Sequence, residues 1–215
     1  MSEWINKLRD SHADFDKGGL INSMGNNPFD GFSLWFDEAI VNNEIEVNAC
    51  ILSTVDTSSL QSASRIVYLK ELKNEQFIFY TNYNSQKGKE LLENPKASLL
   101  FFWPGLQRQV RIEGLVEKVS SDESDVYFAS RPRESQLGAW ASNQSEILND
   151  RNDLIFRLEE LDAKYPDRVP RPPHWGGYGL SPKLIEFWQG LPSRLHDRLI
   201  FQKTNSNWST FRKNP

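Results

Sequence analysis

Four short stretches of the sequence bring cations, hydroxyls and amides together at spacings suited to holding phosphate. The first is Arg65-Ile66-Val67-Tyr68-Leu69-Lys70. Alternate residues of an extended strand share a face, so Arg65, Val67 and Leu69 point one way and Ile66, Tyr68 and Lys70 the other. Two cations then bracket an apolar strand, either as charges snorkelling from its ends or as ligands for an anion. The second is Tyr80-Thr81-Asn82 followed by Ser85-Gln86-Lys87-Gly88-Lys89. A strand ends there and a helix begins with lysines in its first turns, where the helix dipole favours anions. A phosphate bound by free N–H groups, the Thr81 and Ser85 hydroxyls and Lys87 would resolve the conflict. Two solvated lysines, at a cost of roughly a few tenths of a kcal/mol, account for the pattern equally well.

The third stretch is Arg131-Pro132-Arg133-Glu134-Ser135-Gln136, after a helix that holds Tyr127. Arginines suit a helix C-terminus, but Tyr127, Arg131 and Ser135 also make a compact phosphate clamp, with guanidinium geometry matched to bidentate contact. The fourth is Trp188-Gln189-Gly190 leading into Arg194-Leu195-His196-Asp197-Arg198. If extended, it aims Arg194, His196 and Arg198 at one side and Leu195 and Asp197 at the other. Such a cationic face calls for an anion or a π system before it, or for full solvation.

Other chemistries are poorly served. The chain has 3 histidines and 1 cysteine among 215 residues, which leaves no metal-ligand spacing and no disulfide framework. Cys50 sits in the apolar run Val47 to Val55 and reads as a buried structural thiol. No P-loop, dinucleotide loop or nucleophile elbow is present. The net charge of −4 excludes a general nucleic-acid or membrane binder, which needs a basic surplus. The N-terminus has neither a basic nor an apolar leader region, so a cytoplasmic chain in a reducing compartment is expected.

These residues need elements to position them. Residues 1–28 read as an N-terminal arm, with a helical stretch around Trp4 to Phe15, and residues 29–215 as a single domain. From Asp30, the spacing of Phe32, Trp35, Phe36, Ala39 and Ile40 predicts an amphipathic helix. The period then shortens. Val47–Val55, Arg65–Leu72, Gln76–Thr81, Ala97–Trp103 and Gln109–Val119 read as strands, with a hairpin turn at Lys73-Asn74. Helices are predicted at Ser85–Glu93, stopped by Asn94-Pro95, and at Asp122–Ser130 and Asn152–Lys164. After the proline-rich loop Pro166–Pro173, strands return at Leu184–Trp188, Arg198–Lys203 and Trp208–Phe211. Many short strands with few helices imply an α+β, mainly antiparallel, closed or nearly closed barrel with flanking helices.

With these motifs in hand, the sequence resembles the pyridoxamine 5′-phosphate oxidase family. The match runs from about Lys17 to Pro215 and adds Arg108-Gln109-Val110, Gly138-Ala139-Trp140, Trp175-Gly176-Gly177 and Glu186-Phe187 to the stretches above. The resemblance implies an FMN-binding split β-barrel and a homodimer with FMN at the subunit interface, residues 29–215 including the C-terminal dimerisation and substrate region. By matching position, it implies FMN contacts from Arg65, Ile66, Val67, Tyr68, Leu69, Lys70, Tyr80, Thr81, Gln86 and Lys87. Gln109, Gln144, Ser145, Trp188 and Arg198 complete that set. The substrate phosphate would meet Lys70, Tyr127, Arg131 and Ser135, while Arg194, Leu195 and His196 lie over the pyridine ring, with Arg194 and His196 catalytic. The implied reaction is oxidation of pyridoxamine or pyridoxine 5′-phosphate by dioxygen to pyridoxal 5′-phosphate, as part of vitamin B6 synthesis and salvage. It moves hydride to the flavin and releases hydrogen peroxide, with ammonia when the substrate is the amine.

Two departures stand out. Many members carry Arg where this chain has Gln86, a loss worth about 1–3 kcal/mol of FMN binding. In the arm, Arg9 and Phe15 stand near positions where the family has an Arg and a Tyr that cover the substrate. The competing readings are another split-barrel flavoprotein, such as a flavin reductase, or a non-catalytic binder of flavin or pyridoxal phosphate. The former would have no need of Arg131, Ser135, Arg194 and His196.

Overall fold

A computed structural model describes residues 14–22 and 24–215 of the protein. The predicted helix around Trp4, together with Arg9 and His12, falls outside that range except for its last residues, and Phe15 is not helical. The described residues form five α-helices and nine strands: α1 (Pro28–Val41), β1 (Ala49–Val55), β2 (Ser62–Tyr68), β3 (Glu71–Lys73), β4 (Gln76–Asn82), α2 (Gln86–Glu93), β5 (Lys96–Trp103) and β6 (Arg108–Lys118). The helices α3 (Ser121–Ser130), α4 (Arg133–Ala141) and α5 (Arg151–Lys164) follow, then β7 (Trp175–Gln189), β8 (Asp197–Thr204) and β9 (Asn207–Arg212). Strand pairing runs β2-β1-β5-β6-β7-β4-β3, with β8 on β7 and β9 on β8. The β1–β2, β3–β4, β4–β7, β7–β8 and β8–β9 pairs are antiparallel.

The chain divides into two compact units. Unit 1 comprises Met1–Val47, Leu100–Ile112 and Leu184–Pro215. Its helix α1 starts at Pro28 rather than Asp30, because Asn27 accepts the Phe29 N–H at 3.1 Å as N-cap and proline fits the first turn. The apolar stripe anticipated from the spacing is buried: Phe32 meets Phe101 and Trp35 meets Phe187 edge-on, at centroid distances of 5.1 and 5.2 Å. Phe187 packs in turn on Phe201 of β8.

Unit 2 comprises Asn48–Leu99 and Glu113–Lys183. Here β1 and β2 pair with Cys50 opposite Val67 and Leu52 opposite Arg65. Burial alternates along β2 as expected, with Val67 and Leu69 covered while Ile66 and Tyr68 are 65% and 44% exposed. The strand predicted to run to Leu72 instead breaks at Leu69-Lys70, where the Leu69 N–H turns to the Asn48 carbonyl at 2.8 Å. The hairpin turn falls one residue later than predicted, at Asn74-Glu75, both with positive φ, the conformation a two-residue hairpin demands.

Two elements escaped the sequence reading. Helix α4 occupies the second half of the stretch read as a phosphate clamp, to which no element was assigned, with Leu137 and Ala141 buried along one side. Strand β7 extends from Trp175 through the glycines, whereas only Leu184–Trp188 was read as strand. Glycine weakens a strand unless another group approaches closely. At Gly177 a Cβ would lie 2.8 Å from the Tyr80 ring, with Gly177 paired opposite Tyr80.

Candidate active site

Unit 2 carries an open cavity of about 850 Å³, and most of the sequence-predicted residues of that unit meet in it. Arg65, Ile66, Val67, Tyr68 and Lys70 line it from β2 and the bend that follows. Tyr80 and Thr81 line it from the end of β4, Lys87 from the first turn of α2, and Gln144 from the loop after α4. Tyr127, Arg131 and Ser135, proposed from sequence as a phosphate clamp, come from α3, its C-cap and α4. No Asp or Glu is among the lining residues that are described, so the wall carries four cations and no carboxylate.

Local structure explains each placement. The α2 N-terminus is set by Ser85, fully buried, which donates to the Asn82 carbonyl at 2.7 Å and accepts the Gly88 N–H at 3.4 Å. Ser85 is therefore a cap rather than the free phosphate donor the sequence suggested. Lys87 reaches Gln144 Oε1 at 3.0 Å, and Thr81 donates to the same oxygen at 3.4 Å. Burial, followed by the charge of Arg65, pulls the Lys87 pKa below its ordinary value. An incoming anion would relieve both effects.

Arg131 carries the clearest sign of a missing partner. Its Nη1 is buried without a hydrogen-bond partner, while its guanidinium lies 4.5 Å from the Trp175 ring centroid and 5.6 Å from that of Phe128. Burial holds its pKa below the usual guanidinium value. A buried donor without an acceptor is costly, and an anion in the cavity would supply one. Arg133, two residues on, is instead spent on Asp162 and the Tyr165 carbonyl, tying α4 to α5.

Flat surfaces flank these charges. Tyr80 stacks on Tyr127 at 3.9 Å and on Trp175 at 5.6 Å, with interplanar angles of 19° and 13°. Trp175 lines the cavity, as do Asn82, Pro132, Gly138, Ala139 and Ser142. None of the six was picked out as a site residue. Trp175 had a signal, the Trp-Gly-Gly run in which glycine admits a ring, and Asn82 shapes the wall with its side chain, donating to the Ser142 carbonyl at 3.5 Å and accepting the Asn84 N–H at 2.8 Å.

Three predicted residues of unit 2 stand apart from this wall. Leu69 is buried, with its backbone bonded to Asn48. Gln86 turns its amide to Glu90 at 2.8 Å. Ser145, with φ of 75°, lines a neighbouring cavity of about 220 Å³ that shares Gln144.

Gln109, Trp188, Arg194, Leu195, His196 and Arg198 belong to unit 1. The extended run predicted for Arg194 to Arg198 is not formed. Pro192–Arg194 is a 3-10 turn in which Ser193 and Arg194 adopt φ of 57° and 60°, and β8 begins only at Asp197. Arg194 and Leu195 are exposed on this turn. His196 accepts the Leu191 N–H at Nδ1, 3.1 Å away, and lies against Trp188, with ring centroids 4.6 Å apart. Phe15 packs edge-on to both rings, and Arg194 sits 5.8 Å from the Phe15 centroid. Burial and then Arg194 depress the His196 pKa. Arg198 is paired with Glu186 at 2.8 Å, and the same buried carboxylate takes Arg111 at 2.5 Å. Asp197 is buried in a pair with Arg212.

Cys50 is buried, with its thiol pKa pushed up to about 12 by burial, the inert structural thiol that was expected. Among the described residues no group of three or more His, Cys, Asp or Glu could hold a metal ion. No helix there is long and apolar enough to cross a membrane.

Comparison with known proteins converges with this geometry. Residues 36–165 match the family model described as pyridoxamine 5′-phosphate oxidase. Residues 175–215 match the pyridoxine 5′-phosphate oxidase C-terminal dimerisation region. The chain is 48% identical over 214 residues to the pyridoxine/pyridoxamine 5′-phosphate oxidase of Paraburkholderia phytofirmans, spanning 98% of this chain and 100% of that one. To the enzyme of the same description from Bordetella petrii it is 50% identical over 210 residues, 97% and 99% of the two chains. Among solved structures, PhzG from Burkholderia lata, in complex with tetrahydrophenazine-1-carboxylic acid, superposes with a TM-score of 0.86 at 31% identity over 92% of this chain and 98% of that one. A pyridoxamine 5′-phosphate oxidase-related, FMN-binding protein from Nostoc punctiforme gives 0.69 at 18% identity over 86% and 97%. Together with the antiparallel pairing, these likenesses bear out the expected α+β split-barrel class with flanking helices.

Proposed function

Because the chain belongs to the pyridoxamine 5′-phosphate oxidase family and FMN is its cofactor, we propose that it oxidises pyridoxamine and pyridoxine 5′-phosphates to the aldehyde with dioxygen as electron acceptor. The observation that carries this reading is the buried, partnerless Nη1 of Arg131 in a cavity walled by cations and flat rings. Two phosphorylated ring compounds, cofactor and substrate, fit that donor set.

Arg65, Lys87 and Thr81 would hold the cofactor phosphate, with Gln144 between the last two. Ile66 and Tyr68, large and apolar yet exposed in the single chain, offer the ring a surface. Bound FMN supplies the two-electron acceptor, chemistry that no side chain provides. Arg131 would grip the substrate phosphate in bidentate fashion, helped by Ser135, Tyr127 and Lys70. Leu69, Gln86 and Ser145 keep at most supporting roles.

The roles given to Gln109, Trp188, Arg194, Leu195, His196 and Arg198 rest on the motif match. Arg194 is proposed to orient the carbon that is oxidised, and Leu195 to contact the substrate ring. His196 accepts the Leu191 N–H at Nδ1, which puts the proton of the neutral ring on Nε2, and it is proposed to act from there as a hydrogen-bond donor toward the substrate. The match to a dimerisation region supports a homodimer, and the cytoplasm suits a chain with a single, reduced thiol.

Likeness to PhzG supports a second reading, in which the substrate is a fused-ring carboxylate. The purified protein separates the two. Flavin absorbance with oxygen-dependent formation of aldehyde and hydrogen peroxide from pyridoxamine 5′-phosphate is expected. Bound flavin with turnover of a reduced phenazine carboxylate alone would favour the second reading, and no flavin at all would overturn both.

A further inference from the structure

Behind the cationic end of the cavity lies a carboxylate that the proposed reaction does not use. Glu90, on α2, is only 4% exposed. Its Oε2 accepts the Thr54 hydroxyl and, at 3.2 Å, Nη2 of Arg65, while its Oε1 accepts the Gln86 amide at 2.8 Å. Thr54, itself 1% exposed, also bonds Nη1 of Arg65, which donates in addition to the Ala63 carbonyl at 3.1 Å. The guanidinium that lines the cavity is thus clamped from the rear by two buried groups on different elements, β1 and α2.

A buried carboxylate next to an anion subsite is an unfavourable choice on field strength alone. It opposes the phosphate and carries its own desolvation cost. The arrangement gains where orientation matters more than charge, because a guanidinium fork binds phosphate well only when held in the plane of its acceptor. Gln86 fits the same logic. A neutral amide there satisfies Glu90 without competing with Arg65 for its charge.

We propose that Glu90, together with Thr54, is the positioning pair of the phosphate subsite, fixing Arg65 toward the cofactor phosphate without touching the cofactor. This rests on the reading of the cavity as the FMN site. Its test is the affinity of the full-length, flavin-free chain for FMN against riboflavin, which lacks the phosphate, read by quenching of flavin fluorescence. E90A is expected to weaken FMN about tenfold or more and riboflavin less than about twofold. T54V, which leaves every charge in place, is expected to give the same phosphate-selective loss at smaller size. In an R65A background the effect of E90A reverses, strengthening FMN, because a carboxylate without its guanidinium only repels phosphate. Equal losses for both flavins, or the same loss with and without Arg65, would overturn the proposal. Should E90A fail to fold, T54V decides, and an unchanged ratio of FMN to riboflavin affinity counts against it. Wild-type protein that binds neither flavin would instead overturn the reading of the cavity.

Discussion

Single residues in this protein are tuned by their immediate surroundings. His196 is the clearest case, since burial and the Arg194 charge both disfavour its protonated form. Its folded pKa therefore lies below the ordinary value of 6.5. The stability that the neutral ring contributes is complete above that value and is lost as pH falls through the depressed one. Replacing Arg194 by Leu removes the smaller of the two causes. A proton NMR titration is expected to show the His196 midpoint rising part of the way toward 6.5 in R194L, and no movement would contradict the assigned cause. The same variant is expected to lose about a hundredfold or more in kcat/KM through misorientation while retaining flavin. Near-normal turnover would remove Arg194 from the machinery.

At the scale of elements, the join between β4 and α2 governs the cationic end of the cavity. Gly88 lies inside that short helix, where alanine would be intrinsically better by about 1 kcal/mol. Yet a Cβ at Gly88 would come within 2.1 Å of the Tyr83 carbonyl oxygen. Helix and strand end approach closely enough to exclude any side chain, and that approach presents Lys87 to the cavity. G88A is accordingly expected to destabilise the fold by about 1–3 kcal/mol despite its better propensity, and to weaken FMN binding as α2 shifts. Urea unfolding together with a flavin titration checks both, and a stabilised G88A would show that the contact is soft.

On the scale of the whole molecule, Cys50 reports on integrity. Its thiol is buried on β1 and its pKa is raised from 9.0 to about 12. Near neutral pH the reactive thiolate is scarcer by about a thousandfold than for an ordinary cysteine. Labelling by a thiol reagent is expected to be slower by at least that factor in the native protein and to accelerate with denaturant, whereas fast native labelling would place Cys50 outside the core. Much of the architecture was legible from residues alone. The alternation of Arg65 to Lys70, the apolar spacing of α1 and the Asn94-Pro95 stop of α2 are local patterns, and local stereochemistry is enough to read them. That most of the singled-out cations, hydroxyls and amides of unit 2 share one cavity was also foreshadowed, since such residues recur at turn and cap positions for a chemical reason. What only tertiary structure decided was how each charge is spent. Arg131 is left with a buried, partnerless donor, Arg133 is consumed by Asp162, Arg198 by Glu186, and Gln86 faces Glu90 rather than the cavity. For Arg133 and Arg198 the outcome depends on partners about 12 to 32 residues away in sequence, and for Arg131 on burial imposed by other elements, while Gln86 meets a partner one turn along its own helix that Arg65 and Thr54 hold in place. A side chain's type states what it can bind, and only the packed surroundings determine whether that capacity is already used.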